Sequence, residues 1–322
     1  LLLTFVLLII SMSSLTSCGV NNDKDVVVFA MDTVITIRAE KLSNKAAKDA
    51  EELIYRLESV FSQYTENSEL FILNKSGFSD SISSELYEVI KKSLFIADTV
   101  NGAFDPTLGK LTTLWNIPSS GIVPKPDEIE SALSECGLSK VSLTEDSITL
   151  NGITLDLGGA AKGFALQETV EFLKESGSPF GIVSFGGNVG VYGSKYDGNS
   201  WTIAIRDPYD TSSVIGRISI TDGYVSVSGD YERYFESEGK RYHHILDSTT
   251  GYPADSGVHS AAVWCRDGTL GDILSTALFV MGDKGMNELY EVGLYEFEAL
   301  LVTDNGIVMT DGMRSMYTPY DI

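Results

Sequence analysis

The sequence predicts an α+β fold, mostly antiparallel, with helices packed against the sheet. Three observations carry that expectation. The first 138 residues hold several helix-period segments, strands dominate from about residue 139, and those strands follow one another through short polar turns instead of alternating with helices. "VVVFAMDTVITIRAE" alternates like a strand or a strand pair. "NKAAKDAEELIYRLESVFSQY" has helical period, with Leu53, Leu57, Val60 and Phe61 on one face. "SSELYEVIKKSLFIADTVNG" opens on serine capping candidates and stops at Asn101-Gly102, a pair that commonly ends helices. In "NGAFDPTLGKLTTLWNI" an Asp105-Pro106 turn precedes a short helix carrying Trp115. "KPDEIESALSECG" reads as a further short helix, with Pro near its start and Gly at its end.

The strand-rich part contains "KVSLTEDSITLNGITLDL", "GIVSFGG", "WTIAIRDP", "GRISI", "GYVSVSG", "RYHHIL" and "HSAAVWC". Turn-rich gaps such as "SKYDGNS" and "DPYDTSS" join them. Two helices interrupt, at about 160–176 and 269–281. There is no internal repeat and no low-complexity tract.

The chain of 322 residues carries a formal net charge of −22 and a pI near 4.4. Sequence-independent binding to nucleic acid is excluded, because phosphate backbones are bound by neutralising them with Lys and Arg. Docking on an anionic lipid surface is disfavoured for the same reason. An anionic ligand would need local help from a lysine, a helix N-terminus or a metal ion. The opening "LLLTFVLLIISMSSLTSCGVNNDKD" is too short for a membrane span but has the length of a signal-peptide apolar region. Leu15-Thr16-Ser17-Cys18 resembles a bacterial lipobox. The expected organisation is a lipoprotein-type signal at 1–17, a tether at 18–25 beginning with a lipidated Cys18, and one domain at 26–322. An ordinary secretory signal with an incidental Cys is the alternative. Cys136 and Cys265 could pair, but nothing in the sequence fixes their separation, and no Cys/His cluster marks a zinc or iron–sulfur site.

Four stretches could carry chemistry. In "LDLGGAAKGFALQETVEFLKESG" a strand ends at Asp156, a glycine turn follows, and a helix opens with Lys162 in its first turn. Backbone N–H groups, the helix N-terminus and a lysine together suit an anion. In "GTLGDILSTALFVMG" a nearly all-apolar helix carries Asp272, Ser275 and Thr276 as one polar stripe at i, i+3 and i+4. A buried carboxylate is normally paired or metal-bound, and these hard oxygens suit Mg²⁺ or Ca²⁺. A hydrogen-bonded core Asp is the competing reading. The glycine turn and aromatics at 101–117 suit a planar ring, and "GIVSFGGNVGVYG" is a glycine-dense strand and turn that something approaches closely. Finally, "HHILDSTTG" holds two of the three histidines; on a strand His243 and His244 must face opposite ways, so only one can serve a site.

Taken together these stretches resemble the ApbE family, the FAD:protein FMN transferases. The motifs run in order along nearly the whole chain after the leader: "MDTVITI", "FSQYTENSELFILN", "GAFDPTLGKLTTLW", "LDLGGAAKGFALQETV", "VSFGGNVGVYG", "WTIAIRDP", "SVSGDYERYF", "RYHHILDSTTGYP" and "GDILSTALFVMG". The resemblance implies an ApbE-like, T-fold-related architecture that binds FAD and Mg²⁺. It implies transfer of the FMN moiety onto a threonine hydroxyl of a target flavoprotein with release of AMP. Met31 and Tyr64 would contact the flavin nucleotide, Ala103, Phe104 and Asp105 would form the flavin-binding turn, and Asp156, Lys162 and Leu246 would also contact FAD. Asp272, Ser275 and Thr276, with a backbone carbonyl near Gly159, would hold the metal. His244 would be the general base and His243 its structural neighbour. The implied acceptor is an exported flavoprotein domain, such as a subunit of the Rnf or sodium-pumping NADH:quinone oxidoreductase complexes, met by an enzyme anchored through lipid at a bacterial membrane.

The chain departs from the family pattern at three places. Asp32 stands where Gly is usual, Ser248 where Pro is usual, and Gly271 where Ala is usual. Two other activities remain open from the sequence: an Mg²⁺-dependent FAD pyrophosphatase yielding FMN and AMP, and a non-catalytic FAD-binding lipoprotein.

Overall fold

The computed structural model describes residues 25–320 apart from positions 118 and 146. The expected signal at 1–17, Cys18 and the tether up to residue 24 lie outside the described residues. The chain opens with a hairpin of β1 (Val26–Ala30) and β2 (Thr33–Ala39), and its two-residue turn is Met31-Asp32. Both turn residues have positive φ, 52° and 57°. This is the twist a tight antiparallel hairpin prefers, and it explains why Gly is the usual occupant of position 32. A helical stretch follows: α1 (Asn44–Phe61), α2 (Glu69–Ser76), the two-residue β3 (Phe78–Ser79), α3 (Ser84–Thr99), α4 (Gly109–Trp115) and α5 (Pro126–Ser134). Serines 43, 68 and 83 cap α1, α2 and α3 by accepting from the backbone N–H three residues on. The face of α1 is buried as its period predicts, except that Ile54 fills the core position expected of Leu53, which is only half-buried.

Next come β4 (Val141–Leu143), β5 (Ile148–Leu150), α6 (Ala161–Glu175), β6 (Gly181–Phe185), β7 (Asn188–Tyr192), β8 (Trp201–Arg206), β9 (Val214–Ile220) and β10 (Gly223–Gly229). The chain ends with β11 (Tyr234–Ser237), β12 (Lys240–His243), β13 (Val258–Cys265), α7 (Gly268–Val292), β14 (Phe297–Thr303), β15 (Gly306–Met309), α8 (Asp311–Met316) and β16 (Tyr317–Pro319). The main sheet has eight strands in the order β1-β2-β6-β7-β10-β13-β14-β15, every neighbouring pair antiparallel. The α+β, antiparallel expectation holds.

Period-2 alternation divides the apolar side chains of this sheet between two cores. Val183, Phe185, Ala261, Val263, Ala299 and Leu301 face α1, α6 and α7. Ile182, Val189, Val225, Ala262 and Leu300 face the other way, onto Trp201, Ile203 and Ile218 of the three-stranded β16-β9-β8 sheet. That second sheet stops short of the β1–β2 hairpin, whose outer face leaves Val27, Phe29 and Val34 exposed. A third, smaller core joins α4 and α5 to the separate β11–β12 hairpin, with Trp115 stacked on Tyr242 and Tyr242 on Phe235. The helix predicted to stop near 281 is broken there at Gly282 (φ 75°, ψ −171°) and resumes to Val292, a kink only glycine takes readily. Cys136 and Cys265 are free thiols, not a pair, and burial pushes each up to about 11.

Candidate active site

One cleft opens where the ends of β1, β10 and β12 meet the N-terminal end of α6 and the middle of α7. All the residues that the sequence marks for the site line it, except Ser275. The back wall is made by α6 and α7, which cross at backbone contact. A Cβ on Gly163 would lie 2.2 Å from the carbonyl oxygen of Gly268 and 2.6 Å from Cβ of Asp272. That closeness lets Oδ2 of Asp272 accept the N–H of Gly163 at 2.9 Å, so the carboxylate of one helix satisfies an orphan donor in the first turn of the other. Asp272 is 4% exposed and lines the cleft.

Thr276, one turn further on, faces the glycine turn. A Cβ on Gly159 would sit 3.0 Å from Thr276 Oγ1 and 3.1 Å from the Phe104 ring, so any side chain there would fill the space between them. The Thr276 hydroxyl and the Asp272 carboxylate, beside the backbone of Gly159, form a small cradle whose donors are all hard oxygens. This donor set fits Mg²⁺, which asks for few protein ligands when substrate oxygens complete its shell. Among the described residues no cluster of three His, Cys, Asp or Glu could hold a metal, so the softer, nitrogen- and sulfur-rich sites are absent there. Ser275 is wholly buried behind the cradle. Its hydroxyl donates to the carbonyl of Asp272 at 2.8 Å and meets Ser228 Oγ at 2.8 Å, which buttresses Thr276 from β10. Lys162 donates to the carbonyl of Gly158 at 2.6 Å, and Asp156 accepts the N–H of Gly158 at 2.8 Å; both hold the glycine turn at the cleft.

The turn at 103–107 is fixed by Asp105, whose Oδ1 accepts the N–H and the hydroxyl of Thr107, both at 2.7 Å. Phe104 lies against the cradle and Ala103 beside it. Leu246 and Trp115 belong to the small third core and form an apolar wall; Trp115 Nε1 donates to the carbonyl of Gly251 at 2.9 Å. Across the mouth, Met31 is held by its N–H, which donates to Glu58 of α1 at 2.7 Å. Tyr64 follows the end of α1 and is 66% exposed, so its ring can stack on a planar ligand at the entrance.

The two histidines turn different ways, although β12 ends at His243 and His244 lies one residue past the strand on which the sequence placed both. His243 is buried against the ring of Phe279, with Nε2 3.0 Å from the carbonyl of Ala254, and loss of water lowers its pKa. His244 turns into the cleft. Its Nδ1 lies 3.2 Å from the carbonyl of Arg233, which can only accept, so Nδ1 carries the proton and Nε2 is left as a bare acceptor. Loss of water, reinforced by the positive charge of Arg233, lowers the pKa of His244 to about 3. The imidazole is therefore neutral at physiological pH, the state a base requires.

The structure adds residues that sequence reasoning did not single out: Glu58, Asn188, Ser228, Glu232 and Arg233. Loss of water within the cleft raises the pKa of Glu232, against the pull of Lys162, Arg233 and Arg206. Asn188 is 2% exposed and its amide donor has no partner. "SVSGDYERYF" and "GGNVG" stand out as motifs, but nothing local marks which of their side chains turn inward. Glu58 lies on the polar flank of an amphipathic helix and carries no signal at all. Of the three departures, Ser248 is compensated: its hydroxyl donates to the carbonyl of Gly102 at 2.7 Å and ties the turn after the histidines to the 101–103 turn.

Comparison with known proteins agrees with this geometry. The sequence model of the ApbE family matches residues 31–301. A protein from Treponema pallidum (strain Nichols) named FAD:protein FMN transferase is 36% identical over 251 residues, 71% of this chain and 69% of that one. One of the same name from Klebsiella pneumoniae (strain 342) is 30% identical over 280 residues, 84% and 86% of the two chains. The crystal structure of the ApbE protein from Thermotoga maritima superposes with a TM-score of 0.84 at 34% identity, covering 91% of this chain and 98% of that one. Flavin transferase ApbE from Vibrio cholerae superposes with a TM-score of 0.80 over 91% and 98% of the chains; at 24% identity that likeness is one of fold.

Proposed function

The chain belongs to the ApbE family, and we propose that it is an Mg²⁺-dependent FAD:protein FMN transferase that joins the FMN moiety of FAD to a threonine hydroxyl of a target flavoprotein and releases AMP. The observation that carries this reading is a single cleft with a neutral His244 on one side and the Gly159–Asp272–Thr276 cradle, with Lys162, on the other. A protein of net charge −22 must supply positive charge locally to hold a pyrophosphate; Lys162 and Arg233 line this cleft, and a bound metal ion would add to them.

In this mechanism Nε2 of His244 takes the proton from the threonine hydroxyl as its oxygen attacks the phosphorus of the FMN half. The bond from that phosphorus to the bridging pyrophosphate oxygen breaks, and AMP leaves with the electron pair. Mg²⁺, held by Asp272, Thr276 and the carbonyl of Gly159, would neutralise charge gathering on the phosphate oxygens. Lys162 and the N-terminus of α6 bind the pyrophosphate. Tyr64 and Met31 at the mouth, with the Ala103–Asp105 turn and Leu246, clasp the nucleotide.

The reading extends to location and partner. The leader and Cys18 fit export and a lipid anchor, and the acceptor would be an exported flavoprotein domain of the Rnf or sodium-pumping NADH:quinone oxidoreductase kind. Palmitate labelling that disappears in Cys18→Ala tests the anchor.

The decisive assay mixes the domain after Cys18 with FAD, Mg²⁺ and a threonine-bearing acceptor domain, and weighs the intact acceptor with and without EDTA. A gain of one FMN, lost with EDTA, is expected. AMP and FMN released without an acceptor, and no mass gain with one, would make the protein a pyrophosphatase instead; intact FAD throughout would leave a binding protein.

A further inference from the structure

The third histidine, His259, takes no part in the cleft, yet it is built into a clasp behind it. Its Nδ1 lies 2.8 Å from Oδ2 of Asp230 and its Nε2 2.9 Å from Oδ1 of Asp304. A carboxylate only accepts, so both bonds exist together only when both ring nitrogens carry protons. The backbone has been shaped to place this ring. The register of β13 against β14 shifts between Val258 and Ser260, which makes His259 the bulged residue, and bulges re-aim side chains. The carbonyl of the same residue accepts the N–H of Asp230 at 3.2 Å.

Asp230 begins the four-residue link from β10 to β11, and the link ends at Arg233, whose carbonyl sets the tautomer of His244. That carbonyl accepts both the backbone N–H of His244 at 3.1 Å and its Nδ1–H at 3.2 Å. The β11–β12 hairpin that delivers His244 is not part of the main sheet. On this side it is tied to the sheet through Arg241, 3.3 Å from Asp230, while Arg241 also lies over the ring of Tyr234. Asp230, with its side chain 10% exposed, is thus the shared anchor, held by Arg241 and His259.

We propose that His259 is a positioning residue for the transfer reaction: in its doubly protonated form it clamps Asp230, and through the 230–233 link it holds His244 in the tautomer and orientation of a base. The inference rests on the reading of His244 given above. The groups around His259 are Asp230 from the β10–β11 link, Asp304 from the β14–β15 turn, Tyr209 with its ring 5.0 Å away and Asp207 behind it, and Arg241 beyond Asp230. Although loss of water alone would lower it, the two carboxylates raise the pKa of His259, whereas those of His243 and His244 are lowered. The sign follows: the clasp is whole below that raised pKa and opens as pH rises through it. Opening leaves the nearly buried Asp230 with Arg241 as its cation.

The test is the pH profile of FMN transfer in the wild type, His259→Asn, His259→Arg and Asp304→Asn. In the wild type kcat should decline as pH rises through the pKa of His259 read by NMR. His259→Asn should show kcat about tenfold lower, flat with pH, and KM for FAD unchanged. His259→Arg keeps a permanent cation between the carboxylates and should hold kcat up at alkaline pH. Asp304→Asn should move the decline to lower pH, which a merely structural role would not do. A wild-type profile in His259→Asn, or a decline that stays put in Asp304→Asn, overturns the proposal. If the wild type transfers no FMN at any pH, the transferase reading fails, and the clasp is judged by NMR alone. The Nδ1–H tautomer of His244 must then be lost in His259→Asn; if it persists, the clasp is wrong as well.

Discussion

On the α6–α7 side of the cleft backbones touch at Gly163 and Gly268, the Thr276 hydroxyl closes on Gly159, and a buried carboxylate spans the two helices. On the opposite side the chain runs as turns and a two-stranded hairpin, fixed by a few hydrogen bonds: Met31 donates to Glu58, His244 to the carbonyl of Arg233 and Ser248 to the carbonyl of Gly102. The first side is a matter of volume: an added methyl has nowhere to go. The second is a matter of partners: a side chain can change if the bond it makes is replaced, as Ser248 shows. A rigid back and an adjustable front that presents His244 suit the proposed transfer, in which the pyrophosphate would be held still while a second protein enters at the mouth.

Four substitutions would break or sharpen that contrast. The largest effect belongs to the front, where His244→Ala should lower FMN transfer by about 10²–10⁴-fold while equilibrium dialysis finds FAD still bound. Flavinylation at the wild-type rate would end the assignment of the base. Because its pKa lies near 3, not 6.5, the wild-type kcat/KM should show no acid limb belonging to His244 between pH 7 and 5. The same lowered pKa means its contribution to stability is whole above pH 6.5 and lost as pH falls toward about 3, because the unfolded chain takes up the proton first.

Next comes the back wall. Gly163→Ala would drive a methyl into the carbonyl of Gly268 and should cost about 3 kcal/mol, read as a lowered midpoint in urea. A change below the error of that titration would show that α6 and α7 can part. A smaller effect of opposite sign is expected at the front hairpin. Asp32→Gly relieves a positive φ of 57° and should stabilise by about 0.5–1 kcal/mol. It also removes a negative charge lining the cleft, so FAD should bind more tightly by calorimetry; weaker binding would mean that Asp32 is a ligand of the nucleotide. Smallest is Gly271→Ala, also on the back wall but at a point with room. Its Cβ would meet Cys265 and Ser226 at 3.4 Å, an ordinary contact, so a gain of up to about 1 kcal/mol is expected from helix propensity. A thermal midpoint lower than wild type would show that the whole wall, and not only its crossing point, is closed to added volume.

The two sides also differ in how far they could be read in advance. The glycine turn with Lys162, the Asp272–Thr276 stripe and the pair His243 and His244 each lie within a few consecutive residues, where local spacing reveals the grouping. The break at Gly282 was legible as a helix end, but not the helical turns beyond it, because a positive φ at one glycine interrupts the ladder without ending the element. Ser275 shares the stripe but not the cleft, since Ser228 of a strand far away in sequence holds it behind Thr276. Glu58, Glu232, Arg233 and Asn188 reach the site through tertiary pairing alone, and no local pattern encodes which strand will lie beside which.

The strand order of the main sheet also bears on how the chain acquires its structure. β2 finds its second neighbour only in β6, so Ile35 waits for Phe185, with six helices made in between. Contacts of such long sequence separation slow folding, because the intervening loop must close before the pairing rewards it. Until then the β1–β2 hairpin offers an open edge together with Val27, Phe29 and Val34, a template for association between unfinished chains. Refolding from denaturant should therefore lose yield as protein concentration rises, and any chain translocated across a membrane N-terminus first would expose that edge for most of its synthesis.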